Sequence, residues 1–292
     1  SQQQTNMAKA GESKERESAT TDSALSLVGA SAFGYLLRFL CDALIWLLGF
    51  KWHMKIIRAS TMPLPHDKSM VAIDQSTGHY VPRDHVTKPE TFVFYIHGGG
   101  FCVKSETGAA VAGQLFSRNK TLSLYTASYT TLDRSDSSSK SNTIQRMRDE
   151  LVSQWDAETA KYDKKKTVFV IMGDSAGGHL NCLLSLDLQK LGSLSPDRIV
   201  MISPWFDILN SEKKIRRNEN RTTDWMPRSL YDSFQSEIAA CDYDVQYRFR
   251  NLINRAKDAN LPPFLIVTGS GEMIGEQEES ERKSASPTKP PL

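Results

Sequence analysis

An apolar, β-branched run at Thr167–Met172 leads into Gly173-Asp174-Ser175-Ala176-Gly177-Gly178, and a helical pattern over Ala176–Leu191 follows at once. Few arrangements satisfy that order. A strand that becomes a helix through a one-residue turn brings strand backbone and first helical turn into near contact. The positions two before and two after the turn residue must therefore be small. Gly173 and Gly177 occupy them. Ser175 then stands at the carboxyl end of a strand, facing unpaired N–H groups at the positive end of a helix dipole. The string G-x-S-x-G is common by chance; the flanking strand and helix make it informative, and they point to a parallel α/β sheet carrying Ser175 as a nucleophile.

Similar apolar runs recur at Phe92–Ile96, Leu122–Ser128, Arg198–Ile202 and Phe264–Thr268. They are continuous, not alternating, as strands of a parallel sheet covered on both faces should be. With helical stretches at Thr143–Tyr162 and Ala176–Leu191 between them, they predict one doubly wound, mostly parallel domain over 60–275. Residues 206–260 are richer in charge and aromatics and lack a clear strand, so helices inserted above the sheet as a cap are expected there. A low-complexity tail occupies 276–292.

The start of the chain differs. Residues 1–23 are polar and too poor in apolar side chains to offset ordering entropy, which predicts disorder. Residues 24–50 are strongly apolar, broken by Arg38 and Asp42, which at i, i+4 can pair on one helix face. At about 1.5 Å per residue such a helix could cross a hydrocarbon layer of about 30 Å. A single-pass anchor is the expectation, hence membrane association through 25–50 and an endoplasmic-reticulum location. An interfacial or substrate-access helix and a helix buried against the domain are the alternatives. Lys51, Lys55 and Arg58 would place the body on the cytoplasmic side, whereas the sequons at Asn119 and Asn220 suit a lumenal one.

Composition excludes some partners. The net charge is +2 over 292 residues, so no strong field recruits nucleic acid. Cys41, Cys102, Cys182 and Cys241 are scattered without zinc-ligand spacing, so no metal site is expected.

A second chemical signal is His97-Gly98-Gly99-Gly100-Phe101, directly after the strand Phe92–Ile96. Three glycines leave backbone amides free to turn inward, and with the N–H of Ala176 such amides can hold an oxyanion. A phosphate cradle is the competing reading, but no G-K-[ST] follows. His97 precedes the glycines and is expected to orient the loop, not to act as a base.

His97–Phe101 together with Gly173–Gly178 resembles the hormone-sensitive lipase family of α/β-hydrolases, which are serine carboxylesterases. The resemblance runs from Phe92 to Ile274. It includes Ser203-Pro204-Trp205, Leu261-Pro262-Pro263 and Tyr129, but Thr130-Thr131-Leu132 replaces the family's L-A-P. With the N-terminal apolar segment, this variant is similar to fungal steryl acetyl hydrolases. The resemblance implies an α/β-hydrolase fold, a mostly parallel doubly wound sheet with a helical cap insertion, preceded by an N-terminal apolar helix. It implies hydrolysis of small acyl esters, acetylated sterols among them, through an acyl-enzyme on Ser175. Gly98, Gly99 and Ala176 would hold the oxyanion, supported by His97, Gly100, Gly173, Asp174 and Gly177. Glu272, in Gly269–Met273, falls on the position of the triad acid. The small-molecule ester is the expected partner, and no cofactor is implied.

One member of the triad is missing. The histidines are His53, His66, His79, His85, His97 and His179, none of which follows Glu272, although the family's chain order is Ser, acid, His. His179, one turn past the serine, is expected to pack. The expectation is a working esterase cut before its histidine. A non-catalytic relative that binds an apolar ligand, as the plant gibberellin receptors do by analogy, is the alternative, and an acyltransferase is a third reading.

Overall fold

A computed structural model describes residues 40, 43, 70–74, 78–82, 89–104, 108–116, 119–132, 143–206, 226, 228–240, 255 and 258–268. In chain order these form β1 (Met70–Asp74), β2 (His79–Pro82), β3 (Thr91–Ile96), α1 (Gly108–Phe116), β4 (Leu122–Thr126) and α2 (Thr143–Thr159). There follow β5 (Val168–Asp174), α3 (Ala176–Leu191), β6 (Arg198–Ile202), α4 (Arg228–Ala239) and β7 (Phe264–Val267).

The strands make one sheet in the order β1-β2-β4-β3-β5-β6-β7. β1 and β2 pair antiparallel, as do β2 and β4, and every remaining pair is parallel. The five expected strands are all present. The antiparallel β1–β2 extension and α1 were not anticipated as elements.

Period-2 alternation along the strands separates two cores. Phe92, Phe94 and Ile96 of β3 face α2 and α3 with Phe169 and Ile171 of β5. Val93 and Tyr95 face the other way, against Ala112 and Phe116 of α1. α2 buries Ile144, Met147, Leu151 and Trp155, spaced three or four apart as one helix face requires. It is tied to α3 by Arg148, whose Nε donates to Asp187 Oδ2 at 2.7 Å while its Nη2 donates to Oδ1. α3 ends in a Schellman motif. Gly192 adopts φ 68°, its N–H reaches Gln189 O, and Ser193 N reaches Leu188 O at 3.0 Å. Toward β7 the sheet is less covered, with Leu265 57% and Val267 47% exposed.

The membrane-anchor expectation, and with it the membrane partner and the endoplasmic-reticulum location, is corrected. Among the described residues no helix is long and apolar enough to cross a membrane. Of the segment 24–50 only Leu40 and Ala43 are described, and both are helical. Arg38 and Asp42 interrupt the run, and an isolated charge at mid-bilayer costs about 2.5–3.5 kcal/mol. The rest of that segment, the N-terminal stretch 1–23, the tail 276–292, Asn220 and Glu272 lie outside the described residues. Of the expected cap, α4 is described, and Arg255 and Asp258 are also helical.

Candidate active site

The sheet order creates a crevice. From β3 the chain moves outward to β4, whereas from β5 it moves the opposite way to β6. The loops leaving the carboxyl ends of β3 and β5 therefore diverge, and ligands of open α/β sheets bind at such a switch point. The two motifs are those loops.

Ser175 sits at the β5–α3 turn with φ 51° and ψ −119°, a conformation that side chains rarely adopt. The turn is held from β6. Ser175 N donates to Ile202 O at 2.9 Å, and Trp205 N donates to Ser175 O at 3.0 Å. A Cβ on Gly177 would fall on Ile96 O and 2.7 Å from His97 O, and one on Gly173 would lie 2.7 Å from Ile96 O. The small residues that the sequence pattern demanded are thus packed on the end of β3. Among the described residues the Ser175 hydroxyl has no hydrogen-bond partner.

Each peptide of the glycine loop is fixed separately. In the His97–Gly98 peptide, the carbonyl accepts from Tyr129 Oη at 2.8 Å and the Gly98 N–H donates to Asp174 Oδ1 at 3.0 Å. In the Gly98–Gly99 peptide, the carbonyl lies 2.7 Å from His97 Nδ1, so that nitrogen carries the proton. The Gly99 carbonyl accepts from Cys102 N at 3.0 Å and Val103 N at 2.9 Å. All these peptides are trans. The N–H groups of Gly99 and Gly100 consequently point opposite to the anchored carbonyls. Neither they nor the Ala176 N–H has an acceptor among the described residues. Gly98, expected among the oxyanion donors, instead spends its N–H on Asp174.

Burial sets the protonation states. His97 is fully buried, stacked on Tyr129 at 4.4 Å, and its pKa is lowered to about 4, chiefly by desolvation, with Lys104 adding to the effect and the Gly98 carbonyl opposing it. The neutral imidazole donates from Nδ1 to the Gly98 carbonyl. His179 is also fully buried, with Nδ1 3.0 Å from Trp205 O, and burial lowers its pKa to about 3. His79 pairs with Glu158 at 2.8 Å. Of the described histidines, His179 meets Ser175 through the backbone alone, its N–H donating to Ser175 O at 3.3 Å. Asp174 has a raised pKa, mainly from desolvation and opposed by hydrogen bonds from Tyr95 Oη and Gly98 N.

Two contributors were not foreseen. Tyr95 donates its hydroxyl to Asp174 Oδ1 beneath the loop. The register Tyr95↔Met172 places both residues on one sheet face, a signal readable only once β3 and β5 are paired. Phe234 of α4 lies flat on Gly100, where a Cβ would come within 2.5–2.7 Å of its ring, and packs against Trp205 at 6.2 Å. It walls the crevice from the cap side. Backbone strain gathers here as well. Among the described residues, the non-glycine ones with positive φ are Phe101 (64°), Ser175 (51°) and Ser203 (45°), following β3, β5 and β6.

A family model for the alpha/beta hydrolase fold matches residues 93–285. The chain belongs to that family. An esterase of Acinetobacter venetianus is 24% identical over 198 residues, covering 66% of this chain and 60% of that protein. The chain thus spans less than two thirds of the length of that curated relative. Among solved α/β-hydrolases, a hormone-sensitive lipase from a metagenome library superposes with a TM-score of 0.69 at 19% identity, covering 88% of this chain and 83% of that one. The homologue EstE7, also from a metagenome library, gives 0.67 at 19% identity with coverages of 88% and 83%. A mutant of the esterase E40 gives 0.68 at 15% identity with coverages of 88% and 84%. At these identities the likeness is one of fold.

Proposed function

We propose that the protein is a serine carboxylic-ester hydrolase acting on small acyl esters, acetylated sterols among the candidate substrates. The observation that carries this reading is the position of Ser175. It stands at the switch-point crevice, at the N-terminus of α3, and the N–H groups of Gly99, Gly100 and Ala176 in the two loops that form this crevice have no acceptor among the described residues. Ser175 Oγ would attack the acyl carbonyl, forming a C–O bond as the carbonyl π pair moves onto oxygen, while the hydroxyl proton passes to a base that later returns it to the departing alcohol. Those amides would hold the resulting anion, the role in which preorganised donors contribute most to acyl transfer. Collapse expels the alcohol, and water then cleaves the acyl-enzyme. Glu272 is assigned the orientation of the base, which none of the described histidines supplies. The likeness to esterases and the β-strand–Ser–helix geometry support the reading.

The described histidine rings bond elsewhere, His97 to Gly98 O, His179 to Trp205 O and His79 to Glu158, which favours a second reading, a ligand-binding relative without turnover. An alkyl fluorophosphonate separates the two. Covalent labelling of the full chain, abolished in Ser175→Ala, is expected of the hydrolase. Retention of an apolar ester with neither labelling nor a burst of released alcohol identifies the binder.

A further inference from the structure

The apolar run of β3 contains one polar group, the hydroxyl of Tyr95. Its residue is 1% exposed, so it serves no contact with solvent. It donates to Asp174 Oδ1, the same oxygen that receives the Gly98 N–H at 3.0 Å. Asp174 itself is the last residue of β5 and immediately precedes Ser175. The carboxylate is thus a bridge between the floor of the sheet and the loop above it.

The loop geometry gives that bridge a consequence. The Gly98 residue is held on both its polar atoms, N–H by Asp174 and C=O by His97 Nδ1 at 2.7 Å. Because the following peptide is trans, the direction of the Gly99 N–H is set by the carbonyl of Gly98. A rotation of the Gly98 backbone that broke the Asp174 contact would swing that N–H. We infer that Tyr95 is a positioning residue of the oxyanion loop: its hydroxyl keeps the Asp174 carboxylate turned to Gly98 and so fixes the direction of the Gly99 N–H. The inference rests on the hydrolase reading for its catalytic meaning, though not for its structural content.

The test uses the full chain, its Tyr95→Phe, Asp174→Asn and double variants, and an alkyl fluorophosphonate. Tyr95→Phe keeps the buried ring and removes the hydroxyl alone. The limiting rate of Ser175 phosphonylation is expected to fall about tenfold, less than the ~100-fold of losing an oxyanion donor outright. The probe concentration giving half the limiting rate should change less than twofold. The double variant should be no slower than Asp174→Asn, since both changes act through one contact. A role confined to stability would lower the labelled fraction and leave the rate constant of labelled molecules unchanged. Equal rate constants in Tyr95→Phe and the parent overturn the inference and leave the nucleophile reading intact. If the parent is not labelled at all, the hydrolase reading fails, and spectra of ¹⁵N-glycine protein decide the inference. The Gly98 and Gly99 amide resonances should then move in Tyr95→Phe, and unmoved resonances overturn it.

Discussion

Two buried neutral histidines should make this protein markedly less stable in mild acid. His97 and His179 have folded-state pKa values of about 4 and about 3, against 6.5 for an unperturbed side chain. Burial lowers both, so the folded state resists the proton that the unfolded chain accepts. Stability is therefore intact above the unfolded value and is lost as pH falls below 6.5, continuing until the folded values are reached. Integrating the two titrations from neutrality to about pH 4.5 gives a loss of ~2–3 kcal/mol per histidine, or about 5 kcal/mol together. Asp174 acts in the other sense. Its pKa is raised by desolvation, so the folded state takes up its proton first and recovers some stability as pH falls. The net loss still rivals a typical domain stability of about 5–15 kcal/mol. Urea unfolding at stepped pH values, read as the midpoint at constant slope, measures it. In His97→Asn the pH-dependent loss should shrink by roughly half, because one of the two titrations is gone. A stability that changes by less than about 1 kcal/mol over this interval, or a loss that is identical in the variant, refutes the reasoning.

Three further outcomes are expected. Gly177→Ala places a Cβ on Ile96 O, where neither strand nor helix can yield cheaply; a thermal melt should show a loss of about 3 kcal/mol or more. Arg148→Met or Asp187→Leu alone strands a buried charge between α2 and α3 and should cost about 3–5 kcal/mol in urea, whereas the double variant should recover most of it. Ser175→Gly relieves the φ 51° turn and should raise stability by about 1 kcal/mol while abolishing fluorophosphonate labelling.

What the sequence disclosed depended on whether a residue's constraint was local. The elbow was legible because Gly173 and Gly177 answer a steric demand made within five residues. β3, β5 and β6 were legible because strands buried on both faces read as continuous apolar runs. β1 and β2 were not: Met70–Asp74 and His79–Pro82 are short, and their pairing is antiparallel at the sheet edge. α1 escaped because Gly108-Ala-Ala-Val-Ala-Gly113 carries two glycines, which depress helix propensity, and only its packing on β2 and β4 makes it a helix. The apolar stretch 24–50 resembles a span in mean apolarity, but Arg38 and Asp42 interrupt it. Tyr95 was hidden for a different reason. Its hydroxyl meets Asp174 only through the β3–β5 register, across 79 positions of sequence.

The glycine motif itself carries the same lesson one level down. Gly98, Gly99 and Gly100 look interchangeable in sequence, and a single role as oxyanion donors was assigned to the first two. The structure separates them. Gly98 is glycine because a Cβ would overlap Asp174 Oδ2, so its smallness serves the contact that anchors the loop. Gly99 is glycine because its φ is +113°, where a side chain would be strained and would also strike Val103 O. Gly100 is glycine because the Phe234 ring leaves no room above it. Substitution by alanine should therefore fail in three different ways: release of Asp174 at the first, a refolded loop at the second, and displacement of α4 at the third. The second and third bear on N–H groups that have no acceptor among the described residues, whereas the first has spent its N–H on Asp174, so the anchoring glycine is a position distinct from the other two.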